Sequence, residues 1–421
     1  MKFLFLHQNF PGQWRHLAPA LAAQGHEVLA LAMTPQVPDG WEGVRVLRYQ
    51  PARGSTPNIH PWVIDIETKA IRAEAVLAAA MQLRQGGFVP DAIVAHPAWG
   101  ESLFMGEVWP NAPLGIYCEL FHQITGQDLG FDAEFDQPEQ PEARAARLRM
   151  KNAVQAMHFD RARAGLSPTR YQADGYPPPF RERIEVVHEG IDTDVLAPDA
   201  EAALRVTGHN GAGAQETWEL SRGAEVVTFV NRNFEPVRGC HVFMRALPDL
   251  LARRPQAYVV MVGGDGISYG SREPTGRTWR ERFWSEVAPQ LPPEDAARVL
   301  FVPGLPRDDF TRLLQVSAVH VFLSYPFVPS WSLLEAMSCG AAVVASDTGA
   351  VREIVTHAQT GYLVDFFDRE RLVKAIALLL ASPATRERLG AAARADMQAR
   401  FDLKTQCLPR MLDWAMQLAG K

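Results

Sequence analysis

The chain reads as an α/β protein built from two doubly wound halves, each a parallel sheet covered by helices. Three observations predict this. Short apolar strands alternate with helical patterns in both halves, which is the signature of βαβ units. The length of 421 residues exceeds what one hydrophobic core usually supports. Between the two series lies a Gly- and Asn-rich, weakly patterned stretch, "RVTGHNGAGAQETWELSRGAE" (205–225), expected as linker and surface loop. The expected domains are 1–200, 201–400 and a C-terminal helical segment, 401–421, packing back on the first.

In the first series "KFLFL" (2–6), "EVLALA" (27–32), "DAIVAH" (91–96) and "PLGIYCE" (113–119) are strands. Helices are expected near Trp14–Ala23 and Ile64–Arg84, and "IEVVHEGID" (184–192) closes the unit. The second series has "EVVTFV" (225–230), "AYVVMVGG" (257–264), "RVLFVPG" (298–304), "AVHVFLS" (318–324), "AAVVASD" (341–347) and "GYLVD" (361–365), and helices from about 369 to 417 end it. Ligands of open α/β sheets bind beyond the carboxyl ends of the strands. Two facing halves would place the site in the cleft between them.

Composition narrows the function. Apolar content of 47%, charged content of 21% and 31 each of Gly and Pro are globular values. A net charge of −6 argues against a nucleic-acid binder. Cys118, Cys240, Cys339 and Cys407 form no CxxC pair, so neither a zinc site nor a disulfide frame is expected. The apolar run of "MKFLFL" is too short for a signal peptide, and no stretch reaches the roughly 18 apolar residues of a membrane span. The expectation is a cytoplasmic protein.

The candidate site residues follow from chemistry at strand ends. "HQNFPGQW" (7–14) joins the first strand to the first helix, and Gly12 there lets backbone approach a ligand. His96, Glu119 and His122 lie at or just after strand ends, three titratable groups at one sheet edge. Arg232 and Arg238, in "VNRNFEPVRG", are placed to clamp a diphosphate by charge-assisted hydrogen bonds. Gly263 and Gly264 open "GGDGISYG", a near miss to a dinucleotide fingerprint that runs into a basic loop and reads better as a glycine-lined wall. The acidic "DLGFDAEFDQPEQPE" (128–142) reads either as a solvated face or as a mobile cleft loop beside the basic stretch 143–165. In "VPSWSLLEAMSCGAAVVASD" (328–347), Glu335 is one carboxylate inside a buried helix-then-strand run. Such a charge requires a partner. A ligand bearing hydroxyls and an anion fits, because the helix from about Ser330 would aim its N-terminus at the same crevice.

"SWSLLEAMSCGAAVVASDTGAVREIV", together with "FLHQNFPGQWRHLAPAL" and "VNRNFEPVRG", resembles the family 4 glycosyltransferases, particularly bacterial members associated with surface polysaccharides. The resemblance covers nearly the whole chain. It implies the GT-B fold of two facing Rossmann-like domains and transfer of a sugar from a nucleotide sugar with retention, without a metal or cofactor. Position by position, it implies that Glu335 holds the donor ribose and that Ser332 and Leu333, flanked by Ser330 and Trp331, present backbone to the diphosphate. Arg232 and Arg238 match the phosphate-binding basic positions, Val302 the strand end lining the base, and Gly12 and Gln13 the loop approaching the phosphates. Two positions depart from the pattern: the first Glu of the E-x7-E element is Phe327, and the place where many members carry an active-site His is Glu119, with His122 nearby. The implied partners are a UDP- or GDP-linked sugar and a glycan, lipid-linked or small-molecule acceptor, with peripheral contact at the inner membrane leaflet. A noncatalytic nucleotide-sugar-binding subunit and a sugar-nucleotide epimerase of the same fold are the competing readings.

Overall fold

The computed structural model describes residues 1–136 and 139–420. Their contacts divide into two units. The first comprises Met1–Leu129, Gln137–Gly190 and Leu403–Lys421; the second comprises Gly130–Asp136 and Ile191–Asp402. The main break thus falls at 190/191, ahead of the boundary expected at 200.

The first unit is an eight-stranded sheet. Strand Lys2–Leu6 lies at its centre with Glu27–Ala32 on one side and Ala92–Ala95 on the other, both parallel to it. Outward from these run Val44–Arg48 and the short antiparallel Gly40–Trp41 on one side, and Leu114–Tyr117, Ala162–Ser167 and Ile184–Val186 on the other. The strand order reverses between Lys2–Leu6 and Ala92–Ala95, so the carboxyl ends of these two strands flank the switch point. From Phe3 to Leu6 the central strand is apolar without interruption because both faces are covered. Phe3 and Phe5 pack with Phe10, Trp14, Met411 and Trp414, while Leu4 and Leu6 pack with Val76, Ala80 and Met105. Helix Leu408–Leu418 belongs to this unit, its Trp414 and Leu418 lying on Gly115. A Cβ at Gly115 would come within 2.6 Å of both side chains, so the strand glycine admits the helix.

The second unit is also an eight-stranded sheet, with Val226–Asn233 at its centre between Tyr258–Gly264 and Val319–Phe322. Val299–Val302 follows beyond Tyr258–Gly264, and Ala342–Ser346 then Tyr362–Val364 beyond Val319–Phe322. The stretch 205–225, expected as linker and loop, is instead mostly an antiparallel hairpin of Ala203–Asn210 and Gln215–Ser221. It pairs with Val299–Val302 at the sheet edge. Leu204, Val206, Gly208 and Asn210 face inward and alternate with exposed Ala203, Arg205, Thr207 and His209. Half of a strand with one face to solvent is polar by construction, and its composition therefore resembles a loop. The turn is closed by Asn210, whose Oδ1 accepts the Ala214 N–H at 2.9 Å.

The acidic stretch 128–142 also differs from its expected character. Gly130–Asp136 is part of the second unit, with Asp132 only 4% exposed, whereas Glu139 pairs with Arg144 and Arg147 at the start of helix Pro141–Ala156. Gln137 and Pro138, and Lys421 of the expected C-terminal segment, lie outside the described residues.

Candidate functional site

Each sheet gathers polar side chains at the carboxyl ends beside its switch point, the place where open α/β sheets bind ligands.

In the first unit, the strand Lys2–Leu6 delivers His7 and the strand Ala92–Ala95 delivers His96, their rings 5.5 Å apart. His7 Nδ1 accepts the Asn9 N–H at 3.1 Å, and Nε2 lies 2.9 Å from Gln13 Oε1. This pairing leaves the proton on Nε2, donated to Gln13. Gln13 in turn donates from its Nε2 to Glu119 Oε1 at 3.4 Å. His96 Nδ1 accepts the Ala98 N–H, so its Nε2 carries the proton and faces Glu119 Oε2 at 3.4 Å, out of line for a hydrogen bond. Burial holds the His7 imidazole neutral, pushing its pKa down to about 3, with His96 lowering it further against the Gln13 hydrogen bond and the Glu119 charge. Gly12 adopts φ +49° with its Cβ position 2.2 Å from His7 Nε2. Any side chain there would drive the ring from its place. Gly12, Gln13, His96 and Glu119 thus meet in one cluster, and the Glu119 side chain, 31% exposed, is its outlet to water.

His122 is not in that cluster. Its N–H donates to Asn152 Oδ1 and its carbonyl accepts from Asn152 Nδ2, which turns the residue toward helix Pro141–Ala156. There it helps line a groove of about 890 Å³ with Phe121, Ile124, Leu148 and Met157. Burial, with Lys151, Lys69 and Arg147 adding to it, takes its pKa to about 3.

In the second unit, Arg232 ends the strand Val226–Asn233 and is exposed. Arg238 is different. It closes a short turn, Pro236–Arg238, before Gly239 at φ +68°, and is 5% exposed. Its Nη1 donates to Ser324 Oγ at 2.9 Å and to the Val328 carbonyl at 2.8 Å, and its guanidinium lies over the rings of Tyr269 (5.1 Å) and Phe327 (5.7 Å). The rim pair expected from sequence is therefore one exposed guanidinium and one held in a built pocket, with Phe327 forming part of that pocket.

Gly263 and Gly264 end the strand Tyr258–Gly264, and the loop after them folds around a protein carboxylate. Glu235, 1% exposed, accepts the N–H groups of Ser268 (2.9 Å), Tyr269 (3.1 Å) and Gly270 (2.8 Å), while Asn233 Oδ1 accepts that of Gly266 (3.0 Å). The N–H groups that a dinucleotide loop would offer to phosphate are directed here at Glu235. Val302 is 2% exposed and packs in the core with Val230 and Val262.

Helix Trp331–Ser338 follows the strand Val319–Phe322. Ser330 caps it, its Oγ accepting from Ser332 N at 3.3 Å and from Ser332 Oγ at 3.0 Å, while Leu333 N donates to the Ser330 carbonyl. On the buried side of this helix Glu335, 6% exposed, forms an ion pair with Arg307, its Oε1 2.7 Å from Nη2. The partner of Glu335 within the chain is thus an arginine at the start of helix Arg307–Val316, where the sequence led us to expect a ligand.

Sequence reasoning missed His7, Glu235, Arg307 and Asp132. His7 carried a signal, being the first polar residue after the central strand; the other three are defined only by partners distant in sequence.

Two doubly wound units, each with its polar cluster at the switch point, define a protein of the GT-B class. The comparisons agree. Residues 24–196 match the family model described as Glycosyl transferase family 4 group, and residues 215–396 match that described as Glycosyl transferases group 1. Glycosyltransferase family models thus match both halves of the chain. It is 31% identical to the D-inositol 3-phosphate glycosyltransferase of Kribbella flavida over 50% of this chain and 46% of that one. It is 27% identical to the GDP-mannose-dependent alpha-(1-6)-phosphatidylinositol monomannoside mannosyltransferase of Mycolicibacterium smegmatis over 70% and 71%. The chain thus spans about half the length of the inositol-phosphate relatives. Among solved structures, sucrose-phosphate synthase from Thermosynechococcus elongatus superposes with a TM-score of 0.71 at 20% identity over 100% of both chains. Anabaena HepE in complex with UDP and glucose gives 0.68 at 16% identity over 99% of this chain and 100% of that one. At those identities the likeness is one of fold.

Proposed function

We propose that the protein transfers a hexosyl group from a nucleoside-diphosphate sugar to an acceptor with retention of configuration. The observation that carries this reading is the placement of Arg238 and the Ser330–Glu335 segment beyond adjacent strands, Val226–Asn233 and Val319–Phe322, that flank one switch point. Arg238 offers a preoriented guanidinium, and Arg232 a second, to the diphosphate as it leaves. Glu335 accepts from the ribose hydroxyls, and the capped helix N-terminus adds its partial positive charge. Stabilising the leaving group in this way needs no divalent ion and no side-chain nucleophile. Glu119, bonded to Gln13 and reaching water, would accept a hydrogen bond from an acceptor hydroxyl.

HepE was solved with UDP, and the mannosyltransferase relative is GDP-mannose-dependent, so both bases belong in the test. A melting screen of UDP, GDP and their common sugars, followed by turnover with and without EDTA, decides it. Binding of at least one nucleotide sugar and EDTA-insensitive product formation are expected. No stabilisation by any of them overturns the reading, binding without turnover leaves the noncatalytic subunit, and UDP release without acceptor supports the epimerase.

The acceptor side is proposed from the groove along helix Pro141–Ala156. Its wall carries Ile124 and Met157, 47% and 58% exposed, beside the exposed Arg149. An apolar wall next to a cation suits a lipid-linked acceptor with an anionic head, and peripheral contact with the inner leaflet follows.

A further inference from the structure

Gly130–Asp136 belongs to the second unit although the chain on either side of it belongs to the first. Its two aromatic residues are anchors. The Phe131 ring lies 5.0 Å from Tyr325, 5.3 Å from Phe366 and 5.2 Å from Phe367. Phe135 lies 5.0 Å from His241, 5.3 Å from Trp279 and 5.8 Å from Phe283. Between them Asp132 Oδ2 accepts from Tyr325 OH at 2.7 Å and faces His241 Nε2 at 3.0 Å, while Oδ1 accepts the Glu134 N–H at 3.0 Å. Glu134 forks onto Arg245 at 2.6 and 2.7 Å. Asp132, Glu134 and His241 bring ligand-type atoms within 4.8 Å of one another, but both carboxylates are engaged by protein donors, so the cluster reads as a latch and not as a cation site.

The two side chains that Asp132 holds bracket Arg238. Tyr325 follows Ser324, the acceptor of Arg238 Nη1, and precedes Phe327 and Val328, whose ring and carbonyl complete the guanidinium's pocket. The Tyr325 N–H also donates to the Val237 carbonyl at 2.9 Å. His241 stands in the first turn of helix Cys240–Arg253, just after the turn that carries Arg238. One carboxylate therefore pins both chain segments that build the pocket.

We propose that Asp132 is a positioning residue for sugar transfer, holding Arg238 in the geometry that meets the diphosphate by fixing Tyr325 and His241 at once. This rests on the reading of Arg238 as a diphosphate contact, and the test separates the two. UDP and GDP affinities are measured by calorimetry on wild type, Asp132→Asn, Arg238→Ala and the double variant, with melting curves in parallel. Tyr325→Phe, which removes only the hydroxyl at Asp132, carries the test if Asp132→Asn fails to fold. Asp132→Asn is expected to weaken nucleotide binding about tenfold, the order of one hydrogen bond's contribution. The double variant is expected to bind no worse than Arg238→Ala alone, the non-additivity of residues acting through one group. Wild-type affinity in folded Asp132→Asn and Tyr325→Phe, or losses that add in full, overturns the inference while Arg238 keeps its role. Wild-type affinity in Arg238→Ala removes the reading of Arg238 and this inference with it.

Discussion

Glu335→Gln separates a binding carboxylate from a structural one, because the two roles predict different magnitudes in different assays. The substitution keeps the shape and one acceptor oxygen but removes the charge. Glu335 is nearly buried, yet its partner Arg307 has a side chain that is 52% exposed. Solvent around Arg307 screens the pair, so its loss should cost stability only about 1 kcal/mol or less. Binding is affected more strongly if ribose hydroxyls donate to the carboxylate. A hydrogen bond to a charged acceptor contributes about 1.5–3 kcal/mol, or roughly 10- to 150-fold in Kd. Calorimetry with UDP and GDP should therefore show that loss in Glu335→Gln while the melting temperature moves little. Arg307→Ala supplies the complement: it strips the carboxylate's intrachain partner and leaves the carboxylate for the ribose, so nucleotide affinity should hold or improve. Wild-type affinity in folded Glu335→Gln would refute the reasoning and assign the carboxylate to Arg307 and the fold.

Two further outcomes test other parts of the molecule. If the groove beside helix Pro141–Ala156 meets lipid, the protein should sediment with equimolar phosphatidylglycerol and phosphatidylcholine vesicles at low salt and be released at high salt. Met157→Asp should abolish the retention; a protein indifferent to lipid would leave a soluble acceptor. Stability should fall on mild acidification, because burial pushes His7 and His122 down to about 3 and His158 and His320 down to about 4. These groups stay neutral in the fold while the unfolded chain takes up protons below the ordinary value near 6.5. Their contribution is thus complete above that value and is lost progressively as the pH falls toward 4 and 3. At pH 5.5 relative to 7.5 each costs about 1.4 kcal/mol, up to about 5.5 kcal/mol for the four. Melting curves at the two pH values check it, and equal curves would contradict neutral burial.

The alternation of strands and helices was legible because a parallel strand buried on both faces is a continuous apolar run, as in Phe3–Leu6 or Val259–Val262. The hairpin 203–221 was not, since its inward residues include Gly208 and Asn210 as well as Leu204 and Val206. Gly208 is required by packing: a Cβ there would sit 2.4 Å from the Phe301 carbonyl oxygen. A glycine chosen for close approach and an asparagine chosen for a turn look the same in sequence as the residues of a flexible linker.

The candidate site divides along the same physical line. His96, Glu119 and Arg232 could be found because they stand at or just past strand ends, and Arg238 because it stands just ahead of a helix, positions that are read from local periodicity. Their partners could not. Glu335 finds Arg307, Glu235 finds the N–H groups of 268–270, and Asp132 finds Tyr325, a residue 193 positions away. Charge and composition read locally made Asp132 and Glu134 part of an acidic, solvated run. Burial of Asp132 beside His241 and Tyr325 reverses that meaning for one of the two, while exposed Glu134 forks onto Arg245: burial raises the Asp132 pKa, but the hydrogen bonds from His241 and Tyr325 outweigh it and hold the carboxylate below its usual range. A run of acids marks a solvated surface only while no cation or hydroxyl comes to meet it, and which groups meet is decided by the order of the strands.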